Sequence, residues 1–129
     1  MRRLMLSLLL LTVSAGAAAE WAEIGADPIR TSYADPATLS KAGDNVKMWD
    51  LADFKAVQSR PYGTPFLSQR RQQEYDCGNR RTRVLELVRY AENMGQGDEA
   101  PAEVDAEKWE PIAPGTAGEV LWKFACGTR

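Results

Sequence analysis

Short stretches of this chain alternate apolar and polar residues, and a period of two is typical of β-strands that bury one face. The alternation and the turn-forming residues around it predict strands at Trp21–Ile24, Ile29–Tyr33, Val46–Phe54, Phe66–Cys77 and Arg81–Ala91. Gly78-Asn79 lies between the last two of these runs, and that position indicates a β-hairpin.

Proline, glycine and asparagine predict where the strands end. Asp27-Pro28 and Asp35-Pro36 are expected to stop the first two strands. Turn residues and a scarcity of large apolar groups predict loops at 39–45, 55–65 and 93–108, the first of which closes on Gly43-Asp44-Asn45.

The period changes near the C-terminus. Thr116 and Glu119 fit a capping box, in which Thr116 accepts from the Glu119 amide and the Glu119 carboxylate reaches back to Thr116. The apolar residues that follow at helical spacing are Val120, Leu121, Phe124 and Ala125. They predict a helix over Ala117–Ala125 that packs on the sheet. Strands followed by one terminal helix predict an antiparallel α+β domain.

The first 19 residues have the three parts of an export signal. Arg2-Arg3 makes the start positive, Leu4–Val13 is apolar, and small residues close the segment at Ala17-Ala18-Ala19. A membrane anchor is the alternative, but the apolar run is shorter than the roughly 20 residues that span a bilayer. We expect a signal peptide over 1–19 and one exported domain over 20–129 that does not span the membrane. Its expected location is the periplasm or the medium, with the cell surface as an alternative.

Charge is distributed unevenly along the chain. The sequence holds 16 basic and 18 acidic residues, so removing Arg2-Arg3 leaves 14 against 18 and a net charge of −4. The segment 70–89 holds six arginines against three acidic residues, a local excess of +3. Such an excess either attracts an anionic partner or forms the solvated face of a sheet. The overall acidity argues against a nucleic-acid partner.

Two cysteines in an exported chain indicate one disulfide, because the export compartment is oxidising. Cys77 and Cys126 are therefore expected to pair. A redox or metal-binding pair would need Cys-x-x-Cys spacing or further His and Cys ligands. Neither is present in the sequence.

No cluster of residues in the sequence has the composition that a catalytic mechanism requires. The chain has no histidine, which removes the commonest general base and metal ligand near neutral pH. Asp50 and Asp53 have no companion nucleophile, and Ser59 and Ser68 lack a recognisable base. Met94-Gly-Gln-Gly97 lacks the Lys and the Ser or Thr of a phosphate-binding loop. We expect no enzymatic activity, no cofactor and no metal.

Aromatic and basic residues are the remaining candidates for binding. The four tryptophans, Trp21, Trp49, Trp109 and Trp122, are expected first of all to fill the core, since each has a large apolar area. Arg80, Arg81 and Arg83 are better contact candidates, because a guanidinium group can hold a carboxylate or a sulfate through two hydrogen bonds. Strand alternation means that not all three can face one partner, and Arg83 is also expected to pair with a carboxylate or a helix carbonyl.

An ordered set of short segments runs through nearly the whole chain after the leader. The segments are Trp21 with Ile24, Tyr33-Ala-Asp-Pro-Ala-Thr-Leu39, Val46-Lys-Met-Trp-Asp-Leu51, Glu74-Tyr-Asp-Cys77, Arg81-Thr-Arg83, Tyr90 with Met94-Gly95, and Trp109-Glu-Pro-Ile-Ala-Pro114 with Cys126. Together they resemble the surface-adhesin protein E-like family. The resemblance implies an antiparallel sheet of about six strands with a C-terminal helix packed on it and one disulfide. The family takes its name from an adhesin that binds host matrix proteins.

These features predict an exported, non-enzymatic, adhesin-like binding domain of the bacterial envelope. Arg80, Arg81 and Arg83 are the residues expected to contact an anionic matrix protein or glycan. One alternative is a structural protein of the envelope. The other is a small periplasmic inhibitor of an envelope-attacking enzyme, for which the loop Tyr62–Phe66 would serve as the docking segment.

Export and cleavage after Ala19 should give a mature protein whose first residue is Glu20, because Ala17 and Ala19 occupy the positions that a signal peptidase reads. N-terminal sequencing of protein recovered from the periplasm or the medium checks this. Membrane-bound protein that still begins at Met1 would identify the leader as an anchor instead.

Overall fold

The computed structural model describes residues 20–59 and 63–127, which form one antiparallel sheet and one helix. The strands are β1 (Ala22–Ala26), β2 (Arg30–Ala42), β3 (Asn45–Gln58), β4 (Phe66–Asp76), β5 (Arg81–Tyr90), β6 (Glu99–Ala102) and β7 (Glu110–Pro111), and the helix is α1 (Ala117–Gly127). Strands β1 to β6 are neighbours in chain order, and β7 pairs with β5. This confirms the predicted antiparallel α+β architecture. The predicted signal peptide lies outside the described residues.

The second strand does not stop at Asp35-Pro36, so that prediction and the loop at 39–45 are wrong. Strand β2 continues because a bulge absorbs the proline between Asp35, which pairs with Trp49, and Ser40, which pairs with Lys47. The Thr38 hydroxyl holds the bulge, since it donates to the Asp35 carbonyl at 2.7 Å and accepts from the Trp49 amide at 2.9 Å. The turn itself shrinks to two residues between β2 and β3, where Gly43 supplies the required positive φ of 64°.

Two further loop predictions are too long. Strand β3 extends to Gln58, so the exposed connection predicted over 55–65 begins after that residue. The predicted loop 93–108 contains the 3₁₀ turn Asn93–Gly95 and strand β6, which pairs with β5. Strand β6 was not predicted, because four residues are too few to show alternation of apolar and polar positions. It also contains a proline, which an edge strand tolerates.

The predicted hairpin between β4 and β5 is confirmed, with a turn at 77–80. Asp76 and Arg81 pair on either side of the turn. The Asn79 amide donates to the Asp76 carboxylate at 3.1 Å, and Arg80 adopts a left-handed conformation with a φ of 47°. A short side-chain acceptor therefore stabilises a turn that the Gly-Asn dipeptide alone left ambiguous.

The predicted helix is confirmed and extends two residues further, to Gly127. The Glu119 amide donates to the Thr116 hydroxyl at 3.3 Å, as the capping box requires. The Glu119 carboxylate instead accepts from the Gly115 amide at 3.4 Å. No helix within the described residues is long and apolar enough to cross a membrane.

The core lies between the helix and one half of the sheet. Its buried residues are Ala34, Val46, Met48, Tyr75, Leu121 and Ala125. A second, smaller cluster of Ala52, Phe54 and Phe66 lies further along β3, away from the helix. Among the tryptophans of the described chain, all half-buried, only Trp122 packs against the main core. The expectation that the other three fill it is therefore wrong.

The predicted disulfide between Cys77 and Cys126 is confirmed, with a Cα–Cα distance of 5.6 Å. It joins the turn after β4 to the last turn of helix α1, and both cysteines pack against the main core. The bond closes a sequence separation of 49 residues. It therefore restricts the unfolded chain over nearly half of the described domain.

Reduction should lower the free energy of unfolding by about 4 kcal/mol, because loop closure of this length removes that much unfolded-chain entropy in the simplest model. Urea unfolding followed by tryptophan fluorescence, with and without reductant, measures the change. The double substitution Cys77→Ser and Cys126→Ser should give the same midpoint in both buffers. An unchanged midpoint on reduction of the parent protein would contradict the expected role of the bond.

Candidate functional site

The three arginines expected to contact a partner lie at the β4–β5 turn and on β5. Arg80 is the last residue of the turn, whereas Arg81 and Arg83 are two positions apart on the strand and project from the same face. Each guanidinium lies over an indole ring. The Cζ atom of Arg80 is 4.6 Å from the ring centre of Trp122, and those of Arg81 and Arg83 are 4.4 and 4.6 Å from that of Trp109. We call these five residues the arginine–tryptophan surface.

Each of these arginines also forms a salt bridge with a carboxylate. Arg80 pairs with Glu119 of helix α1 at 2.8 Å. On the strand, Arg81 pairs with Asp76 at 2.8 Å and Arg83 with Glu74 at 3.0 Å. The arginine side chains are nevertheless 48%, 42% and 29% exposed in chain order. The guanidinium groups are thus fixed in orientation and still reach the solvent.

Among the carboxylates that pair with the arginine–tryptophan surface, Asp76 has the most strongly shifted pKa. Hydrogen bonds from the Asn79 side chain and from Arg81 lower the pKa of the Asp76 carboxyl from 3.8 to about 2. Its backbone carbonyl also accepts from the Trp122 indole at 3.0 Å. Asp76 therefore links the turn, strand β5 and helix α1 to one another.

Glu74 and Glu119, the other two carboxylates that pair with these arginines, are also stabilised in their charged forms. Burial opposes ionisation of Glu74, but hydrogen bonds from Asn45 and Arg83 keep the pKa of its carboxyl below the usual range. A hydrogen bond from the Gly115 amide, followed by the charge of Lys123 and a hydrogen bond from Arg80, lowers the pKa of the Glu119 carboxyl. All three acids are consequently ionised partners of the arginines at neutral pH.

The fold neutralises part of the positive charge that the segment 70–89 carries in the sequence. Arg71 pairs with the buried Asp50 of β3 at 3.1 Å, and Arg80 pairs with Glu119 of α1. Both acids come from outside the segment. Counting along the chain therefore overstates the local excess of +3 that the sequence shows.

Trp109 was not predicted from the sequence as part of this surface. The short strand β7 pairs with β5 through Arg81 with Pro111 and Thr82 with Glu110, and this register carries Trp109 alongside Arg83. Two residues are too few to give a periodic pattern. The only available signal was a large aromatic residue in an otherwise polar segment.

Three of the residues that were considered for catalysis, Asp50, Asp53 and Ser68, have structural partners. Asp50 and Asp53 are three positions apart on β3 and therefore project from opposite faces of the sheet. Asp53 accepts from the Asn93 side chain and the Met94 amide of the 3₁₀ turn. The Ser68 hydroxyl donates to the Glu92 carbonyl at 2.6 Å and accepts from the Gly95 amide. Within 20–59 and 63–127 no group of three or more acids or cysteines could hold a metal ion.

Comparison with known proteins identifies one matching family and solved structures that share one fold. The model of the family described as surface-adhesin protein E matches residues 21–127. A structure of Haemophilus influenzae protein E is similar with a TM-score of 0.64 at 14% sequence identity, covering 86% of each chain. A second crystal form of that protein gives a TM-score of 0.61 at 16% identity, covering 75% of this chain and 80% of the other. No curated protein sequence matches this chain.

Stability should fall in acid through Asp76. Its pKa is about 2 in the folded protein against an ordinary 3.8, so its contribution is fully present above about pH 4 and is lost as the pH falls towards 2. Asp76→Asn should therefore be less stable at pH 7 and should lose less stability than the parent between pH 4 and 2. Urea unfolding at pH 7, 4, 3 and 2 measures both effects.

Asp44→Asn is the matched control, because it removes an exposed carboxylate from the β2–β3 turn. It should keep the acid dependence of the parent. An Asp76→Asn protein with the parent's slope between pH 4 and 2 would contradict the role given to this carboxylate.

Proposed function

Because this chain belongs to the surface-adhesin protein E family, we propose that it is an exported, non-enzymatic binding domain that contacts an anionic protein or glycan. The family match extends over residues 21–127, and the solved protein E structures share the fold. The name of the family indicates adhesion at a cell surface, and the leader is consistent with export. Together they support a role in binding at the bacterial envelope or outside it.

The observation that carries the proposal is the arginine–tryptophan surface. A guanidinium group has five N–H donors, so one that pairs with a single carboxylate keeps donors for a second anion. The indole rings of Trp109 and Trp122 fix the planes of the three guanidinium groups. Side chains that are already ordered lose less entropy on binding, so this arrangement favours affinity.

The chemistry of the surface selects the partner. Carboxylates and sulfates match the planar donor arrangement of arginine, and the accessible parts of the half-buried indole rings suit sugar rings or aromatic side chains. Because the intrachain carboxylates already neutralise much of the charge, the contact depends on directed hydrogen bonds as well as on attraction over a distance. A sulfated glycan or an acidic protein segment has both features.

The inhibitor alternative receives little support from the described part of its loop. Phe66, the apolar residue that would anchor such a docking segment, is buried against Phe54 with ring centres 5.7 Å apart. Only 63–65 of the described loop residues are exposed. An inhibitor that docks through this loop would have to do so without its phenylalanine.

Binding to immobilised heparin, used as the sulfated probe, should weaken as salt rises, because the Debye length falls from about 10 Å at 0.1 M to about 3 Å at 1 M. The double substitution Arg80→Gln and Arg81→Gln should elute at lower salt than the parent. The control Lys41→Gln and Lys55→Gln removes two exposed positive charges elsewhere. It should elute near the parent position.

Circular dichroism at the binding temperature confirms that each variant is folded, which matters because Arg81 pairs with the almost buried Asp76. The proposal fails if the parent is not retained at low salt by heparin or by an acidic protein. It also fails if both double variants shift the elution equally, since the effect would then be net charge alone.

A further inference from the structure

A cavity of about 400 Å³ lies at the end of β3 that is remote from helix α1. It is lined by Arg30, Phe54, Gln58, Ser59, Phe66 and Gln69. Its volume is within the range of small-molecule sites, and its lining combines two phenylalanine side chains with four polar ones. None of its residues belongs to the arginine–tryptophan surface.

The aromatic pair fixes the shape of the cavity. The rings of Phe54 and Phe66 meet edge to face at an interplanar angle of 76° and are almost fully buried. The guanidinium of Arg30 lies over the Phe54 ring, with its Cζ atom 5.2 Å from the ring centre. Arg30 is therefore held against a rigid apolar support.

Arg30 differs from the arginines that pair with acids. Within 20–59 and 63–127 no carboxylate forms a salt bridge with Arg30, whereas Arg71, Arg80, Arg81 and Arg83 each have one. Its Nε atom is buried without a hydrogen-bond partner in that part of the chain, a feature that it shares with the Nε atom of Arg83. The nearest acid in sequence, Asp27, uses one carboxylate oxygen to accept from the backbone amides of Ile29 and Arg30. Asp27 attracts the Arg30 guanidinium electrostatically, but no acid of the described residues holds that guanidinium in a salt bridge.

Among the lining residues that the structure describes there is no acidic residue, and Arg30 is the single charged group. Gln69 lies on β4, and its side-chain amide adds a neutral donor and acceptor to the lining. Gln58 uses its amide nitrogen to bond the Ala56 carbonyl at 2.9 Å and leaves its oxygen as an acceptor. A ligand that satisfies this lining must bring a negative charge to Arg30 and an apolar group to the phenylalanine rings.

We infer that this cavity binds a carboxylate carried on an aromatic group, with the carboxylate on the terminal nitrogens of Arg30 and the ring against Phe54 and Phe66. The planar, two-oxygen geometry of a carboxylate matches the arrangement of guanidinium donors. Free aromatic acids and the C-terminal carboxylate of a peptide that ends in an aromatic residue share this chemistry. The site is independent of the proposed function, because it uses different residues at the other end of the sheet.

Titration with phenylacetate, followed by NMR of the Gln58 and Gln69 side-chain amides, tests the inference. Phenylacetate should shift the resonances of both amides in a saturable way. Acetate and benzyl alcohol should bind at least tenfold more weakly, because acetate lacks the aromatic ring and benzyl alcohol lacks the carboxylate. A peptide that ends in free phenylalanine and its C-terminal amide separate a peptide ligand from a free acid. Benzyl alcohol that binds as well as phenylacetate would overturn the inference.

Arg30→Gln should lower the affinity for phenylacetate at least tenfold, and Arg30→Lys should lower it less because the positive charge remains. Arg70→Gln is the matched control, since Arg70 also lies over a ring, Trp49, at 4.7 Å, but does not line the cavity. It should bind phenylacetate like the parent. Equal affinity in the parent, Arg30→Gln and Arg70→Gln would overturn the role of Arg30, whatever the result on heparin.

Discussion

The fastening of helix α1 to the β4–β5 turn is the constraint on which the rest of the structure depends. An isolated helix of 11 residues is marginal in water, so α1 needs tertiary contacts to form. Three of them meet at the turn: the Cys77–Cys126 disulfide, the hydrogen bond from the Trp122 indole to the Asp76 carbonyl, and the Arg80 guanidinium over the Trp122 ring. The helix then covers the main core, and the same contacts fix one end of the arginine–tryptophan surface. Stability and the candidate binding surface therefore share residues.

A buried polar network specifies how the central strands pair. Asp50 is almost completely buried, and it accepts from Arg71 at 3.2 Å and from Gln73 at 2.6 Å. Burial raises the pKa of the Tyr75 hydroxyl well above its usual range, and the Asp50 carboxylate adds to the shift, so Tyr75 stays a neutral hydrogen-bond donor. A one-residue slip of β4 would turn these partners to the opposite face and leave a buried charge unpaired. The network thus discriminates strongly against a wrong register.

Local chemistry was enough to predict the elements that contain their own signals. The helix was predicted from Thr116 and its apolar stripe, and the hairpin from Gly78-Asn79, because each signal lies within a few residues of the structure that it determines. The path of β2 through Pro36 was not predictable in this way, since the hydroxyl of Thr38 closes the bulge on a residue of β3. Arg80, Arg81 and Arg83 were identified as a group, whereas their acids and rings depend on pairings that only the fold creates.

The value of an arginine for binding depends on what the fold places beside it rather than on the charge of its segment. Arg81 forms a salt bridge with Asp76, so its remaining N–H donors are oriented towards a partner while its positive charge is partly neutralised. Arg30 stands in a segment with no excess of basic residues, and within the described part of the chain its guanidinium forms no salt bridge. The first arrangement favours many weak, directed contacts along an extended partner, as adhesion to a polymer requires, because each contact is pre-oriented but weak. The second favours one small ligand that brings a negative charge, because a half-buried cation without a salt bridge gains most from a single complementary anion.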